Sequence, residues 1–100
     1  MARFTQFAVY AAAEALADSG FSVDPESPEA TRCGIIVSSG IGGLPVIEEE
    51  HSRGLQKGFE RVSPFFVPMS IANMAAAQIA IRTGFKGMCT CPVTACAGGT

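Results

Sequence analysis

The sequence predicts a mixed α/β fold, and three observations carry that reading. Two alanine-rich segments, around residues 4–17 and 71–83, repeat their apolar positions at helical spacing. Two short apolar runs, Cys33–Val37 and Met88–Thr94, have strand character. Their order along the chain is helix, strand, helix, helix, strand, an α/β alternation rather than a bundle or a sandwich.

The first helix is expected over Phe4–Ala17. Phe4, Phe7, Ala8, Ala11, Ala15 and Leu16 share its apolar face, and Gly20 ends it. An acidic connection with Pro25 and Pro28 follows. Cys33–Val37 reads as a buried strand. It feeds a glycine-rich turn, Ser38-Ser39-Gly40-Ile41-Gly42-Gly43, and Pro45 suits the first turn of the next helix. Glu48, Glu49 and Glu50 sit near the positive end of that helix, with Arg53 and Lys57 toward its negative end, the order its dipole favours. Gly58 closes it. Ser63-Pro64-Phe65-Phe66-Val67-Pro68 reads as an extended apolar loop, because each proline disfavours helix in the residue before it. A second alanine-rich helix is expected over Ile71–Thr83, with Met74, Ala75, Gln78, Ile79 and Arg82 on one face and Gly84 as its stop. The last strand, Met88–Thr94, is interrupted by Pro92 and runs into small residues that open a helix.

Composition bounds the function. Of 100 residues, 48% are hydrophobic and 16% charged, against a usual charged fraction of about 25%. A free globule of 10.4 kDa keeps about 5,400 Å² of surface, which so few charges cover poorly. Disorder is excluded. The net charge of −2 and the scattered basic residues argue against a nucleic-acid partner. Val62–Ile81 lacks charge for twenty residues, but Pro64, Pro68, Asn73 and Gln78 make it a buried segment, not a membrane span. With no apolar stretch behind Arg3, no secretory leader is expected. Cys33, Cys89, Cys91 and Cys96 read as free thiols in a reducing cytoplasm. Two strands are too few for an independent sheet, so the chain reads as an interior piece of something larger.

Several motifs invite chemistry. Gly40 and Gly42 begin a dinucleotide-type glycine pattern, but Pro45 occupies its third position, which leaves a tight strand-to-helix turn. Cys89-x-Cys91-x4-Cys96 lacks the paired spacing of a zinc site, and no metal is expected. His51, the sole histidine, follows three glutamates on a helix and belongs to a solvated face. Cys96 differs. It lies between a strand end and a run of small residues, where a thiol at a helix N-terminus meets the positive end of the dipole. Backbone N–H groups at such a turn hold an oxyanion, and Ala95, Ala97, Gly98 and Gly99 permit a sharp elbow. A buried small hydrophobe is the alternative reading of this cysteine.

The runs Gly34-Ile35-Ile36-Val37-Ser38-Ser39-Gly40-Ile41-Gly42-Gly43-Leu44, Arg61-Val62-Ser63-Pro64-Phe65-Phe66-Val67-Pro68-Met69, Asn73-Met74-Ala75-Ala76 and Val93-Thr94-Ala95-Cys96-Ala97 resemble the β-ketoacyl-acyl carrier protein synthase II family, as does the opening Arg3-Phe4-Thr5-Gln6-Phe7. The motifs come in family order and cover essentially the whole chain. The resemblance implies a thiolase-like fold of five layers, α/β/α/β/α, in a cytoplasmic homodimer, with residues 1–100 a partial N-terminal ketosynthase domain ending just after the nucleophile elbow. It implies a decarboxylative Claisen condensation of acyl-acyl carrier protein with malonyl-acyl carrier protein in fatty-acid elongation, without a cofactor. Cys96 becomes the nucleophile, and its N–H an oxyanion-hole donor. Ile41, Phe66 and Val67 fall at acyl-pocket positions, the last two reaching a neighbouring subunit's pocket. Arg61 falls at a carrier-protein docking position. The second oxyanion donor, two catalytic histidines and a lysine lie downstream in the family, so the chain alone is expected to be inactive. Pro92 departs from the family pattern, as do Glu60-Arg61 in place of a basic pair and Gly98-Gly99 in place of Ser/Thr-Gly. A polyketide ketosynthase, a cysteine-rich metal module and a non-enzymatic interaction module are the alternatives.

Overall fold

A computed structural model describes all residues, Met1–Thr100. Four helices and two strands follow in order: α1 (Arg3–Ser19), β1 (Ile35–Ile36), α2 (Leu44–Lys57), α3 (Phe66–Ser70), α4 (Met74–Thr83) and β2 (Cys89–Thr90). Short 3-10 turns cover Pro28–Arg32, Phe59–Arg61 and Ala95–Gly99. The chain is mixed α/β, mostly helical with a small sheet.

Glycine ends the two alanine-rich helices as expected. Gly20 and Gly84 take left-handed conformations, φ 71° and 73°, that L side chains adopt only under strain. Pro45 sits in the first turn of α2, where its missing N–H has no intrahelical partner to lose. The same logic overturns the extended reading of Ser63–Pro68. Pro68 is the third residue of α3 and still within the first turn, so the helix forms around it. Ser63 begins it by accepting the Phe66 N–H at 3.1 Å.

β1 and β2 pair in parallel, Ile35 opposite Cys89 and Ile36 opposite Thr90. The Ile35 N–H donates to the Met88 carbonyl at 2.7 Å, and the Val37 N–H to Thr90 at 3.2 Å. Both strands are shorter than the sequence predicts. Pro92 lies beyond the paired residues, so its missing donor costs the β1–β2 pair no rung.

One face of this pair is covered. Ile35 packs with Ala76 and Ile79 of α4, flanked by Ala8, Val9 and Ala12 of α1. Alanines at the crossing let the helix backbones approach closely. α1 therefore turns Thr5, Ala8, Val9 and Ala12 inward, and the expected face is rotated. Phe7 is 64% exposed, and the Arg3 guanidinium stands 6.0 Å from its ring centre. The opposite sheet face is bare: Ile36, expected in a buried strand, is 66% exposed. Parallel pairs normally lie covered on both sides. The accessible surface is 6914 Å², well above the figure of about 5,400 Å² for a compact monomer. No helix is long and apolar enough to cross a membrane.

The strands approach closely at Gly34, where a Cβ would stand 2.8 Å from the Met88 carbonyl oxygen. In the full-length protein, Gly34→Ala should cost about 1–3 kcal/mol in a urea melt. Gly40→Ala, where a Cβ meets nothing within 4 Å, serves as the control and should cost less. Equal losses would contradict the close approach.

Candidate active site

β2 delivers the chain through Cys91–Thr94 to the 3-10 turn Ala95–Gly99, which carries Cys96. Ala95–Gly99 forms one tight turn. It opens under strain: Ala95 has φ 50°, the one non-glycine residue with positive φ. That conformation costs an L residue about 1–2 kcal/mol. Cys96 itself is exposed and free.

The turn is braced from β1. The Ser38 hydroxyl donates to the Pro92 carbonyl at 2.6 Å. A Cβ at Gly98 would run into the same Ser38 side chain. Glycine at 98 therefore leaves room for the Ser38 hydroxyl. Sequence reasoning passed over Ser38. Its signal was a short polar residue at the exit of a strand, which reads equally well as plain turn chemistry.

The Ser38–Gly43 loop reaches the other candidates at its far end. Gly43 donates to the Ser70 carbonyl at 2.9 Å, and Gly42, at φ 81°, donates to the Ser39 hydroxyl at 3.0 Å. A Cβ at Gly43 would sit 3.1 Å from the Ser70 Cα, so the loop lies directly on the end of α3. Ile41 is 64% exposed on this loop. Phe66 and Val67 are on α3, Phe66 half-buried and Val67 exposed. Cys96, Ile41 and the Phe66–Val67 helix are thus linked by one loop. Arg61 is exposed in the turn that precedes α3 and makes no ion pair.

Phe66 also lines a cavity of about 260 Å³ with Ile47, Glu50, His51, Phe59 and Val62. His51 is exposed, as expected, its ring 6.2 Å from that of Phe59. Glu50 is a surprise. Expected with its neighbours on a charged helix face, it is only 7% exposed. No three His, Cys, Asp or Glu side chains stand close enough together to hold a metal ion.

The family model for the N-terminal domain of β-ketoacyl synthases matches residues 1–100. The chain belongs to that family. It is 47% identical over its whole length to the 3-oxoacyl-[acyl-carrier-protein] synthase 2 of Staphylococcus aureus. It is 44% identical, again over its whole length, to the protein of that name from Synechocystis sp.. In both cases it spans 24% of the relative's length.

The strain at Ala95 is testable in the full-length protein. Ala95→Gly should shift stability by less than about 1 kcal/mol, since relief of strain and added unfolded-state freedom oppose each other. Ala95→Val should lose about 1–2 kcal/mol, because a β-branched residue resists positive φ. Equal tolerance of both in chemical denaturation would contradict the strained elbow.

Proposed function

We propose that these residues carry the nucleophile of a β-ketoacyl-[acyl-carrier-protein] synthase working in fatty-acid elongation. The observation that carries this reading is Cys96, an exposed free thiol on a strained turn separated by four residues from a parallel strand, within a chain matched end to end by the family. The names of the relatives supply the acyl carrier protein as partner.

In this reading the Cys96 thiolate attacks the carbonyl of an acyl thioester. The carrier-protein thiol leaves, and the acyl chain stays on the enzyme as a thioester. A malonyl thioester on a second carrier protein then loses CO₂. The electrons of the broken C–C bond form a carbanion, which attacks the acyl-Cys96 carbonyl and expels the Cys96 thiolate. The product is a β-ketoacyl thioester two carbons longer. The Cys96 N–H, at the same turn, is one donor to the oxyanion. The sole histidine, His51, is exposed on α2 and takes no part in this scheme.

Ile41, Phe66 and Val67 are the acyl-pocket residues in this account, and Arg61 a docking cation for the acidic carrier protein. The link from the Ile41 loop to α3 supports the first assignment. The exposed, unpaired Arg61 supports the second. Residues 1–100 are then a part of the N-terminal ketosynthase domain. The bare face of the β1–β2 pair and the exposed Phe65 and Val67 fit a five-layered thiolase-like homodimer that covers them. Four free thiols fit a cytoplasmic location.

The test uses the full-length enzyme incubated with acyl-carrier protein and analysed by mass spectrometry. Wild type should gain one acyl group on the peptide containing Cys96, and Cys96→Ala should gain none. Undiminished acylation at Cys33, Cys89 or Cys91 in the variant would overturn the assignment.

A further inference from the structure

α2 turns one carboxylate away from water and toward the segment that carries Phe66 and Val67. The Glu50 Oε2 accepts the backbone N–H of Ser63 at 2.9 Å, across thirteen residues of sequence. Its Oε1 stands 3.9 Å from Arg53 Nη1. A buried carboxylate needs such partners, and its hydrogen bond to an N–H is stronger than a neutral one.

Ser63 passes the restraint onward. Its hydroxyl accepts the Phe65 N–H at 3.1 Å, and its carbonyl accepts the Phe66 N–H at 3.1 Å. All three polar groups of Ser63 are thereby engaged. One bonds back to α2, and two start α3. Phe66 meanwhile faces the cavity of about 260 Å³ that Glu50 also lines, so the ring has free space on the α2 side. What fixes its position is the backbone anchor beneath it.

We infer that Glu50 is a positioning residue for acyl-chain selection: through Ser63 it sets where Phe66 and Val67 stand in the acyl pocket. The inference rests on the proposal above that these two residues close that pocket. Glu50 touches no reacting atom. Its effect falls on which chain lengths fit, because small displacements of pocket walls change productive binding more than they change the thiol's chemistry. Only the acceptor oxygen is required, so glutamine serves in its place.

The experiment measures kcat/KM of the full-length enzyme over a series of acyl-carrier proteins of increasing chain length, for wild type, Glu50→Ala and Glu50→Gln. The ratio between the best and the poorest chain length should fall about tenfold in Glu50→Ala. It should stay near wild type in Glu50→Gln, whose amide oxygen still accepts the Ser63 N–H. If the alanine variant does not fold, Glu50→Asp replaces it; its carboxylate is one methylene short of Ser63, and the same flattening is expected. A flat loss of rate at every chain length with the profile unchanged would show a merely structural role and overturn the inference. So would a glutamine variant as altered as alanine. If wild-type enzyme forms no acyl-Cys96 at all, the proposed function fails instead, and the two failures are told apart by that control.

Discussion

The parallel pairing of Ile35–Ile36 with Cys89–Thr90 brings together the two turns on which the proposed site depends. Before it forms, the turn after β1 and the turn after β2 are separated by more than half the sequence. Once it forms, Ser38 meets Pro92 and Gly98, and the exposed thiol of Cys96 stands on a braced turn. The approach is close enough that Gly34 and Gly87 each face opposing backbone, where a Cβ would stand within 3 Å of a carbonyl oxygen. A pair of two-residue strands has little strength of its own. Its stability comes from α4 and α1, whose alanines bring Ile35, Ala76 and Ile79 together on one side.

The other side has no such cover. A chain with 48% hydrophobic residues cannot hide them behind one small core. Here the excess lies on definite faces, with Ile36, Met88 and Val93 around the sheet, Val67 on α3 and Phe65 just before it. Those faces adjoin the proposed site. In the proposed layered dimer, burial of these faces would also remove water from the proposed thioester, which strengthens every hydrogen bond to a developing oxyanion.

Local chemistry was readable where one residue type has one physical use. Gly20, Gly58 and Gly84 marked helix ends, Pro45 a helix start, and Cys33–Val37 a strand. It misled where context decides. Two prolines argued for an extended Ser63–Pro68, yet a proline in a helix's first turn costs no bond. The apolar pattern of α1 included Phe7 with Ala8 and left out Val9 and Ala12, yet close helix crossing selects Ala8, Val9 and Ala12. Glu50 could not be told from Glu48 and Glu49, because its burial depends on Ser63 arriving from another segment. For Cys96 the sequence context alone suggested an elbow, and the family resemblance supplied the reaction. The strain at Ala95 and the Ser38 brace emerged only in three dimensions.

The central claim is that strand pairing sets the Ile41 loop and α3 around an acyl chain held on Cys96. An acyl group bearing a photoreactive diazirine, loaded on Cys96 of the full-length enzyme and irradiated, reports its neighbours directly. Peptide mapping should find the label in residues 38–44 and 65–70. Label absent from both and collected instead at Leu16 or Phe21, in the cleft between α1 and α4, would contradict the account.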